Sequence, residues 1–117
     1  MRHRNTVKKL NRAKTERVGL IKNLLKSIVK YEVINTTEAR YKVIRGHFDK
    51  LVNTGKVGDQ NSTRRLFAIL RDEELVKKVT ENISTRYANR KSGYLKSYKL
   101  ENRGGDNAKM VRLEVIK

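Results

Sequence analysis

The sequence contains no cysteine, no proline and no tryptophan among its 117 residues, and only 12 of them are acidic. The absence of cysteine excludes disulfides, thiolate metal ligands and cysteine nucleophiles, and it suits a reducing compartment. The longest apolar run covers residues 66–70, whereas a membrane helix requires roughly 20 apolar residues. The first residues lead into no apolar segment, so we expect no secretory signal. The chain is therefore expected to be a soluble, intracellular protein of one domain.

Basic residues are abundant, and they are unevenly distributed. The chain carries 29 lysines and arginines and a net charge of +17. Residues 1–30 contain ten basic residues and one acidic residue, and residues 86–103 contain six basic residues and one acidic residue. Residues 31–85 contain ten basic and eight acidic residues, as in an ordinary globular protein. Because solubility needs a charge of only about 2–8, this surplus indicates a polyanionic partner, of which nucleic acid is the commonest.

The start of the chain predicts a basic arm followed by a helix. Residues 1–14 have few apolar residues, so we expect an extended arm, and residues 15–117 are expected to form a single globular domain. Thr15 is predicted to cap the first helix. Three lysines recur on its polar side and are expected to face outward: Lys22, Lys26 and Lys30. Its apolar side holds Val18, Leu20, Ile21, Leu24, Leu25, Ile28 and Val29.

Three further helices are predicted in the middle of the chain. Asn35 or Thr36 is expected to cap the second helix, with Glu38 in its first turn and Gly55 as its end. Its apolar side holds Ala39, Val43, Ile44, Phe48, Leu51 and Val52. The third helix is predicted at Ser62–Arg71, opened by Arg64 and Arg65, with Leu66, Phe67, Ile69 and Leu70 inward. Asp72 is expected to start the fourth helix, whose apolar stripe is Leu75, Val76, Val79 and Ile83.

The C-terminal part alternates in the manner of strands. Residues 94–100 and 109–116 predict two antiparallel strands joined by a turn at Gly104 and Gly105. A phosphate-binding backbone nest at residues 104–107 is the alternative for that turn. Since an isolated hairpin is marginal in water, it must lie on the helices, with residues 32–36 available as a third short strand. The predicted class is α+β, with about four helices packed against a small sheet and an extended basic N-terminal arm.

Catalytic and metal sites have little support in the sequence. The two histidines are His3 in the arm and His47, which we expect at the boundary of the core or within it. The acidic residues 72–74 suit a helix start better than a metal site. No phosphate-binding glycine loop of the P-loop or dinucleotide type occurs. We therefore predict no enzyme activity, no cofactor, no metal and no small-molecule substrate.

The basic segments carry the candidate nucleic-acid contacts. Arginine pairs with phosphate through two hydrogen bonds and stacks on unpaired bases, whereas lysine acts as a point charge. Tyrosines interleaved with basic residues are typical of RNA binding, because unpaired bases stack on their rings. Tyr87 and Tyr98 are nevertheless expected to be core or cross-strand residues. For Tyr94, RNA stacking and a structural role are equally open. The predicted binding residues are Arg2, His3, Arg4, Lys8, Lys9, Arg12, Lys14, Arg17, Lys22, Lys26, Lys30, Arg64, Arg65, Arg86, Arg90, Lys91, Tyr94, Lys96, Lys99 and Arg103.

Two other partners compete with RNA for these basic segments. The first helix is basic and amphipathic, which suits a membrane surface, but it contains no phenylalanine or tryptophan and its apolar side is needed for the core. We therefore expect no membrane contact. A basic DNA-binding or RNA-chaperone-type protein is the alternative, although no helix-turn-helix spacing and no heptad segment is evident.

Five segments in order resemble the bacterial large-subunit ribosomal protein seventeen family, and together they cover essentially the whole chain. They are MRHR with LNRAKTER, then INTTEARYKVIR, LVNTGKVGD, RRLFAILRD and RYANRKSGYLKSYKLENRGGDNAKMVRLEVI. The resemblance implies a compact α+β domain that has no catalytic activity. It also implies direct binding to large-subunit ribosomal RNA near the exit-tunnel opening, neighbouring large-subunit ribosomal proteins as partners, and a cytoplasmic location on the ribosome.

The resemblance also extends to single positions. Four arm residues match the family's basic N-terminal pattern: Arg2, His3, Arg4 and Arg12. The residues that match its later blocks are Arg64, Arg65, Arg90, Gly93, Tyr94 and Arg103. Three places depart from it: Glu16 stands where a histidine is usual, Leu95 replaces a threonine, and residues 91–93 lack a second glycine. None of these departures removes a residue from the basic segments.

Overall fold

The computed structural model of the protein describes residues 8–116, so the predictions for Arg2, His3 and Arg4 lie outside the described residues. The elements in chain order are α1 (Lys14–Tyr31), β1 (Val33–Thr37), α2 (Glu38–Val57), α3 (Gln60–Leu70), α4 (Glu73–Lys77), a π-helical segment (Lys78–Ile83), α5 (Ser84–Arg86), β2 (Leu95–Lys99) and β3 (Met110–Val115). Helices packed with a small antiparallel sheet confirm the predicted α+β class. No helix in the described part of the chain is long and apolar enough to cross a membrane.

Residues 73–86 form one helical run, because the backbone stays right-handed helical where α4 meets the π-helical segment and where that segment meets α5. This helical run is the predicted fourth helix. Asp72 caps it as expected, with its carboxylate accepting a hydrogen bond from the Glu74 amide at 2.9 Å. Val76, Val79 and Ile83 are buried, so the predicted apolar stripe faces the core.

The N-terminal caps of α1 and α2 were predicted at the wrong residues. α1 begins at Lys14 after Ala13, so Thr15 lies inside the helix. α2 is capped by Thr37, whose hydroxyl accepts a hydrogen bond from the Arg40 amide at 3.5 Å. Because α2 begins at Glu38, the capping position falls on Thr37, the last residue of β1, and Asn35 and Thr36 lie too early in the chain to cap the helix.

Gly55 does not end α2, contrary to the prediction. The helix continues to Val57 and ends at Gly58, whose φ of 73° lies in the left-handed region that glycine adopts readily. Gly55 is buried instead against the helical run. A Cβ atom at this position would lie 2.5 Å from Ser84 Oγ and 2.8 Å from Val79 Cγ1. The missing side chain therefore permits the close approach of two helices.

α3 begins two residues earlier than predicted, which changes the position of its arginines. Asp59 caps it by accepting a hydrogen bond from the Ser62 amide at 2.7 Å, and this bond holds the pKa of Asp59 below its usual value. Arg64 and Arg65 therefore lie in the middle of the helix, and both are exposed.

Three apolar residues that were predicted to face the core are exposed. Phe67 is 43% exposed, because the buried side of α3 is set by Leu66 and Leu70, and Phe67 lies about 100° around the helix from Leu66. Val18, in the first turns of α1, is also 43% exposed. Ala39, in the first turn of α2, is exposed as well. The remaining predicted apolar residues of α1 and α2 are buried or half-buried.

The three strands form an antiparallel sheet with the order β1-β3-β2. The predicted hairpin of β2 and β3 is confirmed, and residues 33–37 supply the third strand, one residue later than predicted. One face of β3 is buried as expected, through Val111, Leu113 and Val115. The connection between β2 and β3 turns at Gly105, whose φ is 101°.

Candidate nucleic-acid interface

The described part of the arm is a turn that leads into α1. The Arg12 amide donates to the Lys9 carbonyl at 3.1 Å, and Leu10 and Asn11 between them have left-handed backbone angles. Lys8, Lys9 and Arg12 are exposed on this turn. Lys14 and Arg17 follow in the first turn of α1. These five predicted basic residues lie within residues 8–17, which we call the α1 start, and all but the half-buried Arg17 are exposed.

The lysine stripe of α1 is only partly open to solvent. Lys30 is exposed, whereas Lys22 and Lys26 are half-buried. Lys22 lines an apolar cleft together with Val18 and Leu25, so its alkyl stem packs on the protein. The expectation that all three lysines face outward therefore holds fully for Lys30 alone.

A loop at residues 88–93 joins the helical run to β2, and α2 holds it in place. The Asp49 carboxylate accepts hydrogen bonds from the amides of Gly93 and Tyr94, each at 3.2 Å. Gly93 has a φ of 69°, which allows the chain to turn toward the carboxylate. We refer to residues 88–93 as the anchored loop.

Two further side chains of α2 fasten the same loop. The Asn53 amide donates to the Lys91 carbonyl at 3.4 Å, and the Lys56 ammonium donates to the Arg90 carbonyl. The side chains of Arg90 and Lys91 remain exposed. Side chains of α2 thus fix the backbone of the loop. Arg90 Nε donates to the Ser92 carbonyl at 3.2 Å, which leaves the terminal nitrogens of Arg90 and the Lys91 ammonium for a ligand.

The Tyr94 ring belongs to the core and not to the surface. It is 0% exposed and lies 5.0 Å from the ring of Tyr87. Its hydroxyl accepts from the Lys56 ammonium at 2.6 Å and lies 2.7 Å from both Asn53 Oδ1 and the Arg90 carbonyl. The predicted contact of Tyr94 with RNA is therefore wrong, because a ring with no exposed surface cannot stack on a base.

The other two tyrosines of this segment lie where they were expected. Tyr87 is buried, and burial raises the pKa of its hydroxyl. Tyr98 is a cross-strand residue opposite Arg112, and the Lys96 ammonium lies 5.3 Å from its ring centre. The ring of Tyr98 is partly exposed on the sheet, beside the basic residues Lys96 and Lys99 of β2.

Arg86 is occupied within the fold. Its guanidinium donates to both carboxylate oxygens of Glu32, at 3.3 and 3.4 Å, and to Asn82 at 2.9 Å. Lys78 lies 3.4 Å from the same carboxylate. The Arg86 hydrogen bonds hold the pKa of Glu32 below its usual value, with a smaller contribution from Lys78. Arg86 joins the end of α1 to the helical run, so we leave it out of the interface.

Arg103 has a partner on the turn between β2 and β3. Its guanidinium lies 2.6 Å from Asp106 Oδ2 in an exposed pair, and it lowers the pKa of Asp106 to about 2. The Asn107 amide donates to the Arg103 carbonyl at 3.0 Å. Residues 103–107 therefore form the predicted turn, and Arg103 presents a partly neutralised charge.

Comparison with known proteins identifies the family. Residues 20–116 match the family described as ribosomal protein L17. The chain belongs to this family. It is 40% identical over its whole length to the large ribosomal subunit protein bL17 of Dehalococcoides mccartyi, which it covers completely. It is 36% identical over 116 residues to the bL17 of Syntrophotalea carbinolica, covering 99% of this chain and 75% of that protein. It is 37% identical to the bL17 of Geotalea daltonii, in an alignment that includes 99% of this chain and 64% of that longer protein.

Membership of the L17 family confirms the resemblance stated from the sequence. The protein is a ribosomal protein of the large subunit and not an enzyme, and its location is the cytoplasmic ribosome. Among residues 8–116, no three side chains of the types that bind metals come together at one place.

Two basic residues of this L17-family chain were missed by the sequence analysis. Lys42 and Arg45 are exposed on α2 and lie near His47. His47 is exposed, contrary to the expectation that it lies at the boundary of the core or within it, and its partial burial and the nearby Lys50 lower its pKa. The spacing of residues 42 and 45, which places both on one side of a helix, is the sequence signal that could have found them.

Proposed function

We propose that this large-subunit ribosomal protein binds large-subunit ribosomal RNA directly and supports its folded architecture near the exit-tunnel opening. The observation that carries the proposal is the gathering of exposed basic side chains at the α1 start and on the anchored loop, in a ribosomal protein of net charge +17. RNA phosphates would neutralise this charge and relieve its self-repulsion.

Affinity comes from phosphate contacts, and position comes from the shape of the folded RNA. Because α2 fixes the anchored loop by four hydrogen bonds from Asp49, Asn53 and Lys56, the loop loses little conformational freedom when it binds. The proposed contacts are Arg2, His3, Arg4, Lys8, Lys9, Arg12, Lys14, Arg17, Lys22, Lys26, Lys30, Arg64, Arg65, Arg90, Lys91, Lys96, Lys99 and Arg103.

The place near the exit-tunnel opening and the neighbouring ribosomal proteins are also part of the proposal. They are supported by the resemblance, which extends over essentially the whole chain. Chemical cross-linking of lysines in intact large subunits to a stalled nascent chain tests this location. Cross-links to the emerging chain are expected, and their absence beside ample cross-links to other proteins would contradict it.

Binding of the protein to large-subunit ribosomal RNA fragments, with duplex DNA as competitor, tests the function. We expect Arg90→Gln/Lys91→Gln to lower the affinity about tenfold, because each side chain contributes a charge-assisted contact. Lys77→Gln/Lys109→Gln is the matched control, since it removes two exposed charges outside the proposed contacts. Equal competition by duplex DNA would favour the DNA-binding alternative, and equal affinity of the two variants would exclude the anchored loop.

A further inference from the structure

A pocket of about 540 Å³ lies between the arm turn, α1 and α2. Its lining includes Lys8 from the turn, Arg17 from α1, and Lys42, Arg45 and His47 from α2. Three segments that are distant in sequence thus direct four positive charges and an imidazole toward one concave space, which we call the cationic pocket. Its volume lies in the range of pockets that enclose ligands larger than a single ion.

The positive charge of the cationic pocket is poorly compensated within the protein. Among residues 8–116, no carboxylate belongs to its lining. Lys42 lies 3.4 Å from Glu38 one helical turn away, but both side chains are partly exposed, and a pair of this kind is weak and screened by salt. The Arg45 guanidinium lies 5.8 Å from the ring of Tyr41, which leaves its charge in place. The lining therefore favours an anionic ligand.

We infer that the cationic pocket binds the sugar–phosphate backbone of ribosomal RNA, with Arg17 and Arg45 approaching the phosphate from two different helices. The inference rests on the proposed function and adds Lys42, Arg45 and His47 to its contacts. Arginine suits this role because its planar guanidinium donates two parallel hydrogen bonds to one phosphate. A neutral or apolar ligand would leave four positive charges without compensation, whereas successive phosphodiesters of an RNA backbone, each with one negative charge, compensate them.

Removal of two charges from α2 tests the inference. Lys42→Gln/Arg45→Gln is expected to lower the affinity for a large-subunit ribosomal RNA fragment about tenfold and to make the salt slope shallower by about one to two. Lys77→Gln/Lys109→Gln has the same net charge and is expected to change the affinity less than about twofold. Thermal melting of both variants checks that they are folded. If the two variants bind equally while the parent binds RNA, the pocket is not a contact. If the parent does not bind RNA, the proposed function itself fails.

His47 offers a second readout, because NMR can follow its titration in a His3→Gln background where it is the only histidine. The groups around it are Lys8, Arg17, Lys42, Arg45 and Lys50. A phosphate seated among these cations stabilises the protonated imidazole, so the RNA fragment is expected to raise the pKa of His47. An unchanged pKa with bound RNA would overturn the inference. The same shift with inorganic phosphate at an equal phosphate concentration would indicate a site for free anions instead.

Discussion

Gly55 is the position where α2 comes closest to the helical run 73–86. We expect Gly55→Ala to destabilise the protein by about 1–3 kcal/mol, because the added methyl group would displace Ser84 and Val79 from a packed core. The measurement is urea unfolding followed by circular dichroism.

Gly46 supplies the control on the same helix. A Cβ atom there would meet nothing within 4 Å, so Gly46→Ala is expected to stabilise the protein by about 0.5–1 kcal/mol through helix propensity. If both alanine variants gain stability, the two helices are not held close together at Gly55.

Glu32 lies where two cations converge, and its stability contribution depends on pH. Because Arg86 and Lys78 lower its pKa in the folded protein, its contribution is present above the unfolded value of about 4.5 and is lost as the pH falls through the folded pKa. Glu32→Gln is expected to cost about 1 kcal/mol at neutral pH, reduced by salt since the group is partly exposed.

Denaturant unfolding of the parent and of Glu32→Gln at neutral pH and near pH 3 measures this effect. The difference between the two proteins should become smaller at the lower pH, because the unfolded carboxyl group is then protonated and the folded one is closer to its own lowered pKa. Glu101→Gln, at an exposed loop position, should match the parent at both pH values. A difference of the same size at both pH values would mean that packing, and not charge, accounts for the role of Glu32.

At the scale of elements, the anchored loop depends on one side chain of α2. Each carboxylate oxygen of Asp49 accepts a hydrogen bond from one backbone N–H, of Gly93 or of Tyr94. Asp49→Asn replaces one of these oxygens with an NH₂ group, which cannot accept a hydrogen bond, so one of the two bonds is lost. Amide hydrogen exchange in residues 90–94 is expected to accelerate about tenfold or more.

The matched control for this experiment is Asp72→Asn, because asparagine caps a helix about as well as aspartate does. Its exchange pattern in residues 90–94 should equal that of the parent. Slow exchange in Asp49→Asn would show that Asn53 and Lys56 suffice to hold the loop.

The helices and strands could be predicted where a local sequence pattern determines their type and their ends. They could not be predicted where contacts with residues distant in sequence determine them. Alternation along residues 109–116 identified β3, and an acidic start identified the cap at Asp72. The cap of α2 fell on Thr37 and not on Asn35 or Thr36, because residues 33–37 all pair with β3 and the helix begins only where that strand ends. The bonding of the anchored loop to α2 could not be predicted for a similar reason, since Asp49 and Gly93 are 44 residues apart in the sequence.

In the candidate interface, too, local composition identifies some residues, whereas the role of others depends on distant partners. The basic residues of the α1 start could be predicted from composition, because this short segment is rich in lysine and arginine and has few apolar residues. Tyr94 and Arg86 could not be assigned from sequence, because their partners Asn53 and Glu32 are 41 and 54 residues away. Residues 31–85 looked neutral by charge count, yet they supply Lys42 and Arg45 to a pocket whose described lining has no carboxylate.

At the scale of the whole molecule, the surplus charge sets the salt dependence of RNA binding. Residues 1–17 and 86–103 contain thirteen lysines and arginines, and twelve remain when Arg86 is excluded. If about half of these meet a phosphate, log K should fall with log salt at a slope steeper than about −4. Filter binding across a salt series measures the slope, and a value near −1 would mean that most of the charge stays solvated.

The position of β3 in the sheet has a consequence for biosynthesis. β3 is the last element of the chain, yet it is the central strand, and β1 and β2 hydrogen-bond to it and not to each other. During translation the helices emerge first, and neither edge strand has a partner until residues 110–115 have been made. Until then the apolar surface that the sheet covers stays open to other proteins, which is the state in which nascent chains aggregate. The sheet therefore cannot close before β3 has been made, and removal of residues 110–115 would abolish the whole sheet rather than one strand.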